Sequence, residues 1–148
     1  MKLHVLKINE ALNKAFLKLP LTRSQIEKFK VNFKVLIQQY NPGEGEEFHK
    51  NVISDFLKNT YYSPDYYINT KGRYDLVIHN GKDNTSSVGV IIEAKSPGNI
   101  SEMPTVDNLI AKSILELILY YFRERITNKN LDLKHLITTN LYEWFIFD

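Results

Sequence analysis

Residues Lys71–Pro97, KGRYDLVIHNGKDNTSSVGVIIEAKSP, decide how this chain folds. Two apolar, β-branched runs, Tyr74–His79 and Val88–Ala94, flank a segment of Gly, Asn, Asp and Ser. Runs bounded by such turn residues read as two strands of a hairpin or a close sheet pair. Asp75 interrupts the first strand, and Glu93 and Lys95 stand at the end of the second. Side chains alternate faces along a strand, so Glu93 and Lys95 project from the same face. Charged groups are seldom placed in buried strands unless they are paired or bind a metal. Asp75, Glu93 and Lys95 are therefore a candidate site. The competing reading makes Glu93 and Lys95 the solvated end of a strand. Ser96-Pro97-Gly98 turns the chain away just where a site would open.

Upstream, Ile8–Leu17 carries Ile8, Leu12, Ala15 and Phe16 at helical spacing, and Pro20 ends that helix. Thr22, with Gln25 three residues on, forms a capping box for a second helix reaching about Tyr40. Its apolar stripe is Ile26, Phe29, Phe33, Leu36 and Ile37, and Asn41-Pro42-Gly43 stops it. Residues 1–43 are thus expected as a helical preface packing on a core of residues 44–148. A third helix is expected from about Glu44 to Asn59, with Val52, Ile53, Phe56 and Leu57 facing inward. Continuing that stripe backwards at about 3.6 residues per turn reaches His49 and then Glu46. Glu46 is then the acid facing the core, and Glu47 lies in line with Lys50, Asn51 and Ser54 towards solvent. Both acids also suit the first turn of a helix through its dipole. Tyr66, Tyr67 and Ile68 read as a first strand, where tyrosines serve packing or stack on bases.

Downstream of Pro97 a loop, GNISEMPT, leads to a long helix expected over Val106–Ile126. Ile110, Ile114, Leu117 and Tyr121 are assigned to its buried face. Glu116 and Tyr120 are four apart on it and therefore neighbours. Lys112, one turn earlier, suits a partner of Glu116 or a phosphate contact, and Arg123 and Arg125 read as surface charges. His135–Thr139 and Trp144–Phe147 read as two last strands. Of the histidines, His79 shares a strand face with Asp75 and reads as a packing residue. The apolar Trp144–Phe147 run meets Asp148 directly, so the sequence is expected to be part of a longer chain.

The 148 residues suit one domain with a real core. No apolar run reaches membrane-spanning length, and MKLHVLKINEALNKAF does not read as a secretory signal. Cysteine is absent, which excludes disulfides and thiolate metal sites and suits a cytoplasmic location. The net charge of +2 conceals an asymmetry. Residues 1–34, Lys2 among them, carry eight Lys or Arg against Glu10 and Glu27, and the remainder is net acidic. Such a basic segment could track phosphates or simply form solvated helix faces.

Asp75, an intervening turn, and Glu93-Ala94-Lys95 behind Val90-Ile91-Ile92 resemble the core of the PD-(D/E)XK nuclease superfamily, with Tyr74 where the superfamily's name has proline. GRYDLVIHNG, VGVIIEAKSP and HLITTNLYEWFIFD resemble more closely the N-terminal nuclease domain of type IIG restriction-modification enzymes. The resemblance runs from about Leu3 to Asp148. It implies an α/β, restriction-endonuclease-like core with a mixed central sheet of about five strands flanked by helices. It implies Mg²⁺-dependent cleavage of double-stranded DNA, with Mn²⁺ able to substitute. Asp75, Glu93 and the Ala94 carbonyl would be metal ligands, and Lys95 would act on the attacking water. Glu46 would be the catalytic acid from the first core helix, with Glu47 as its substitute. Glu116 and Tyr120 are secondary candidates, Glu116 standing where many such nucleases have glutamine. Methyltransferase and target-recognition domains would lie downstream. Their Gly-rich cofactor loop and N-P-P-[YF] tetrapeptide are absent here, as is a P-loop. Two other readings stand beside this one: a non-catalytic docking module on a nuclease fold, and a stand-alone resolvase or repair nuclease.

Overall fold

A computed structural model describes residues 4–148; Lys2 of the basic segment and Leu3 of the resemblance lie outside them. Five strands form one sheet in chain order: β1 Ile68–Lys71, β2 Tyr74–His79, β3 Val88–Ala94, β4 His135–Thr139 and β5 Trp144–Phe147. Neighbours are antiparallel except β3 and β4, which run parallel with Val90 opposite His135 and Ala94 opposite Thr139. A parallel pair cannot be closed by a tight turn and needs a crossover. Helix α4, Lys112–Phe122, supplies it. The fold is the expected α/β arrangement, a mixed five-stranded sheet flanked by helices.

The central strands are mostly apolar because both of their faces are covered, and the charged Asp75 and Glu93 lie near one end of the pair. Leu76 and Ile78 of β2 and Ile92 and Ala94 of β3 pack with Val52, Ile53 and Leu57 of α3, Glu46–Leu57. On the other face Val77 and Ile91 pack with Ile114 and Leu117 of α4. Helix α2, Arg23–Gln39, begins at the expected capping box, with Thr22 N–H donating to Gln25 Oε1 at 2.9 Å. Only Leu36 of its apolar stripe is fully buried. Phe29 and Phe33 stack at 5.4 Å and meet Phe56 of α3 edge-on. No helix among the described residues is long and apolar enough to cross a membrane.

Several expected boundaries move, each for a local reason. Of the first expected helix, only α1, Ile8–Ala11, and a 3-10 turn at Phe16–Lys18 form. Asn13 Oδ1 accepts from the Ala15 N–H at 2.8 Å, a side-chain turn that competes with the helix ladder. Strand β1 starts at Ile68, after Tyr66 and Tyr67. Helix α4 starts at Lys112, not Val106, because Asn108 Oδ1 accepts from the Ile110 N–H at 2.9 Å and holds this stretch in a turn. Ile110, assigned to the buried face, is 82% exposed. The inward face of α4 is Ser113, Ile114, Leu117 and Tyr120, one residue off the expected phase at Tyr121. Both α3 and α4 widen into a π-helical turn, at Lys58–Tyr62 and Arg123–Thr127. Arg125 is half-buried, and its guanidinium donates to the carbonyls of Leu131 and Leu133 at 3.0 and 3.1 Å.

The turn after α4 is tied to the sheet through Glu124, which is 2% exposed. Its carboxylate accepts from Tyr74 Oη at 3.0 Å, Asn128 Nδ2 at 2.8 Å and Asn130 Nδ2 at 2.9 Å. Burial alone would raise its pKa, but the bonds from Asn130, Asn128 and Tyr74 outweigh it and hold the group below its ordinary value. The same burial and hydrogen bond push the Tyr74 phenol up to about 12. Glu124→Ala leaves the buried Tyr74 hydroxyl without its acceptor, while the more exposed Asn128 and Asn130 amides can turn to water, and it should cost about 2 kcal/mol in denaturant unfolding. A depressed carboxylate contributes stability that is full above its unfolded value and lost as the pH falls through the folded one. The wild type should therefore lose this increment below about pH 4.5, and Glu124→Gln should flatten that part of the pH profile.

Candidate active site

The site grows from the end of β3. The Lys95 N–H donates to the Thr139 carbonyl at 2.8 Å, extending the β3–β4 pairing by one residue and fixing where the side chain departs. Lys95 is 2% exposed. Its Nζ lies 2.7 Å from Glu93 Oε1 and 3.1 Å from Glu116 Oε2 on α4. Glu46, the first residue of α3, is 3.8 Å away, and Glu102 is 3.6 Å away. Asp75 Oδ2 accepts from the Ala94 N–H at 2.9 Å, which locks the start of β2 to the end of β3. Helices from both faces of the sheet thus deliver acids to one lysine.

Among the residues singled out in the sequence, Asp75, Glu93, Ala94, Lys95, Glu46 and Glu116 meet here. Tyr120 is buried beneath them against Tyr74, with ring centroids 4.8 Å apart. Burial, with the charges of Glu93, Glu116 and Asp75, pushes its phenol up to about 12. Glu47 does not join: it is exposed and pairs with Lys50. Lys50 and Ser54, expected on the solvent line with Glu47, are both buried. Lys112 pairs with Glu102 at 3.1 Å, not with Glu116. His79 lies roughly 13 Å along β2 from Asp75, bonded through its ring nitrogens to the Ser86 carbonyl and Asn69 Oδ1. Sequence reasoning missed Glu102. It sits on a 3-10 turn, Ile100–Glu102, in a loop without periodicity, followed by the buried Met103.

The charges do not balance. Lys95 is the ammonium at the centre, and Lys112 neutralises only the rim. Burial would strip Lys95 of its proton, but Glu93, Glu116 and Glu46 hold it firmly charged. Glu93 fares differently. Burial and the neighbouring Asp75 charge outweigh its share of Lys95 and push it up to about 8. Asp75 is raised by burial, against the opposing Ala94 N–H and the charges of Lys50 and Lys95. Glu46 is raised as well, by burial and by Asp75 and Glu102 against Lys95. Glu93 Oε2 is buried without a hydrogen-bond partner. Among the described residues no three His, Cys, Asp or Glu side chains converge in metal-ligating geometry; the Lys95 ammonium occupies the point where the acids meet.

Fold and cluster define an α/β domain built around a lysine enclosed by carboxylates at a strand end. The chain belongs to a family described as "Domain of unknown function (DUF7149)", whose model matches residues 6–148. No curated protein and no solved structure matches it.

A carboxylic acid whose folded pKa is raised confers stability that is full below its unfolded value and lost as the pH rises through the folded one. In chelator above pH 8, Glu93→Gln should therefore raise the melting temperature over wild type. Lys95→Met should instead lower stability by about 3–5 kcal/mol, because it leaves buried acids without their cation. Thermal unfolding of the two variants checks both signs.

Proposed function

We propose that this domain is a Mg²⁺-dependent endodeoxyribonuclease of the PD-(D/E)XK kind, the cytoplasmic cleavage module of a type IIG restriction-modification enzyme. The observation that carries the reading is the junction of Asp75, Glu93 and buried Lys95 at the end of a two-sided sheet. Lysine and two acids there match in position the roles that the sequence resemblance implies. An all-oxygen donor set suits a hard divalent cation. The buried Glu93 Oε2, which has no hydrogen-bond partner, is an oxygen that such a cation could take up. Asp75, Glu93 and the Ala94 carbonyl would hold it. When bound, the cation supplies neutralising charge at the phosphate and a more acidic water.

The remaining work falls to the chain. Asp75 is held in place by the Ala94 N–H, so its carboxylate needs no reorganisation on binding. Lys95, carrying its proton, orients the attacking water by donating to it and then faces the charge that develops on the phosphate. Glu46 and Glu116 keep the ammonium aimed from opposite helical layers. Burial of Lys95 excludes bulk water from that side, which strengthens each of these interactions.

Nicking of supercoiled plasmid in Mn²⁺ or Mg²⁺ tests this. Wild type should nick, and chelator or Lys95→Ala should reduce the rate at least about a hundredfold. Asp75→Ala should lose both nicking and Mn²⁺ affinity, whereas Lys95→Ala should lose nicking alone. Equal Mn²⁺ binding by the two variants would overturn this division of roles. No nicking and no Mn²⁺ binding by wild type would leave the docking module as the better reading.

A further inference from the structure

Lys50 has no part in the chemistry above, yet its side chain is only 10% exposed. Lysine is rarely buried unless paired. Its ion partner is Glu47, on the same helix and 72% exposed, so water competes for the carboxylate end of that pair and weakens it. That pair does not explain why an ammonium is held inside. Position does: Lys50 lies one turn after Glu46 on α3 and so shares the face that Glu46 turns towards Lys95. Helix α3 packs over β2 and β3, and the charge of Lys50 bears on Asp75 ahead of that of Lys95.

The cations around the site therefore differ in how they are occupied. Lys95 is enclosed by Glu93, Glu116, Glu102 and Glu46, and Lys112 is paired with Glu102. A phosphodiester entering here meets Glu46, Glu102, Glu116 and Asp75 and is repelled by those that are ionised. It needs a positive charge whose present partner can be given up. Lys50, with its exposed Glu47, is that cation. We propose that Lys50 binds the DNA phosphate beside Asp75, exchanging Glu47 for a non-bridging phosphate oxygen. The assignment rests on the nuclease reading above and adds a substrate contact to it.

The test is binding of a labelled short DNA duplex by fluorescence anisotropy, in Ca²⁺ and across a salt series. Lys50→Met should weaken binding about tenfold and make the salt dependence shallower by about one ion. Lys50→Arg should restore most of the affinity, because a phosphate contact needs charge. Glu47→Gln should tighten binding, because it releases the ammonium. Wild-type affinity and salt slope in Lys50→Met would overturn the proposal. So would an equal loss of affinity in the Met and Arg variants that follows their melting temperatures, since that marks a packing role. Duplex binding and plasmid nicking by wild type, with Lys50→Met unaffected, removes Lys50 alone. Absence of duplex binding by wild type removes the nuclease reading with it.

Discussion

Burying the Lys95 ammonium among acids at the end of β3 is the constraint on which the rest of the architecture depends. Taking an ammonium and a carboxylate out of water costs several kcal/mol each, and apolar residues of the same volume would commonly do as well or better. Stability alone therefore does not account for the cluster. What the fold supplies is enclosure from all sides. The parallel β3–β4 pair anchors Lys95 through the Thr139 carbonyl, the crossover helix α4 brings Glu116, and the opposite layer brings Glu46. Each contribution needs a different element, and each element is held by its own apolar packing.

Those two cores explain how an unbalanced cluster persists. Leu76, Ile53 and Ile92 on one face and Val77, Ile91 and Leu117 on the other are almost wholly removed from water. Each such side chain stabilises the fold by roughly 1.5–3 kcal/mol. Against that, a carboxylic acid whose pKa is pushed up to about 8 is a local cost the sheet can carry. Such displacements gather at functional sites, and here those of Asp75, Glu93 and Glu46 meet where β2 begins, β3 ends and α3 starts.

The sheet was legible in the sequence because burial on both faces writes continuous apolar runs. Strands β2 to β5 lie where the pattern places them, and the charged interruptions at Asp75, Glu93 and Lys95 mark the cluster. The helices were less legible. Apolar residues surround α4 on most sides, so periodicity could not choose between Tyr120 and Tyr121 for the inward face. The start of α4 was hidden by Asn108, whose side-chain turn competes with the helix. Ile8–Leu17 has helical spacing but no surface to bury it against, and spacing without burial leaves little beyond a single turn. Glu102 left no signal, since a loop residue is placed by the packing of Met103 and not by any repeat.

Lys50 shows where such reading ends. An amphipathic stripe assigns each helix position to an inside or an outside, and a lysine next to the line is put outside. That rule holds when a helix lies flat on an apolar sheet. It fails where the helix begins over a polar strand end, because there the inside is itself charged. At the start of α3 the core changes from Ile53 and Leu57 to Asp75 and Lys95 within two turns. A buried lysine is then compatible with the position, and an exposed glutamate such as Glu47 can be its partner without being part of the site.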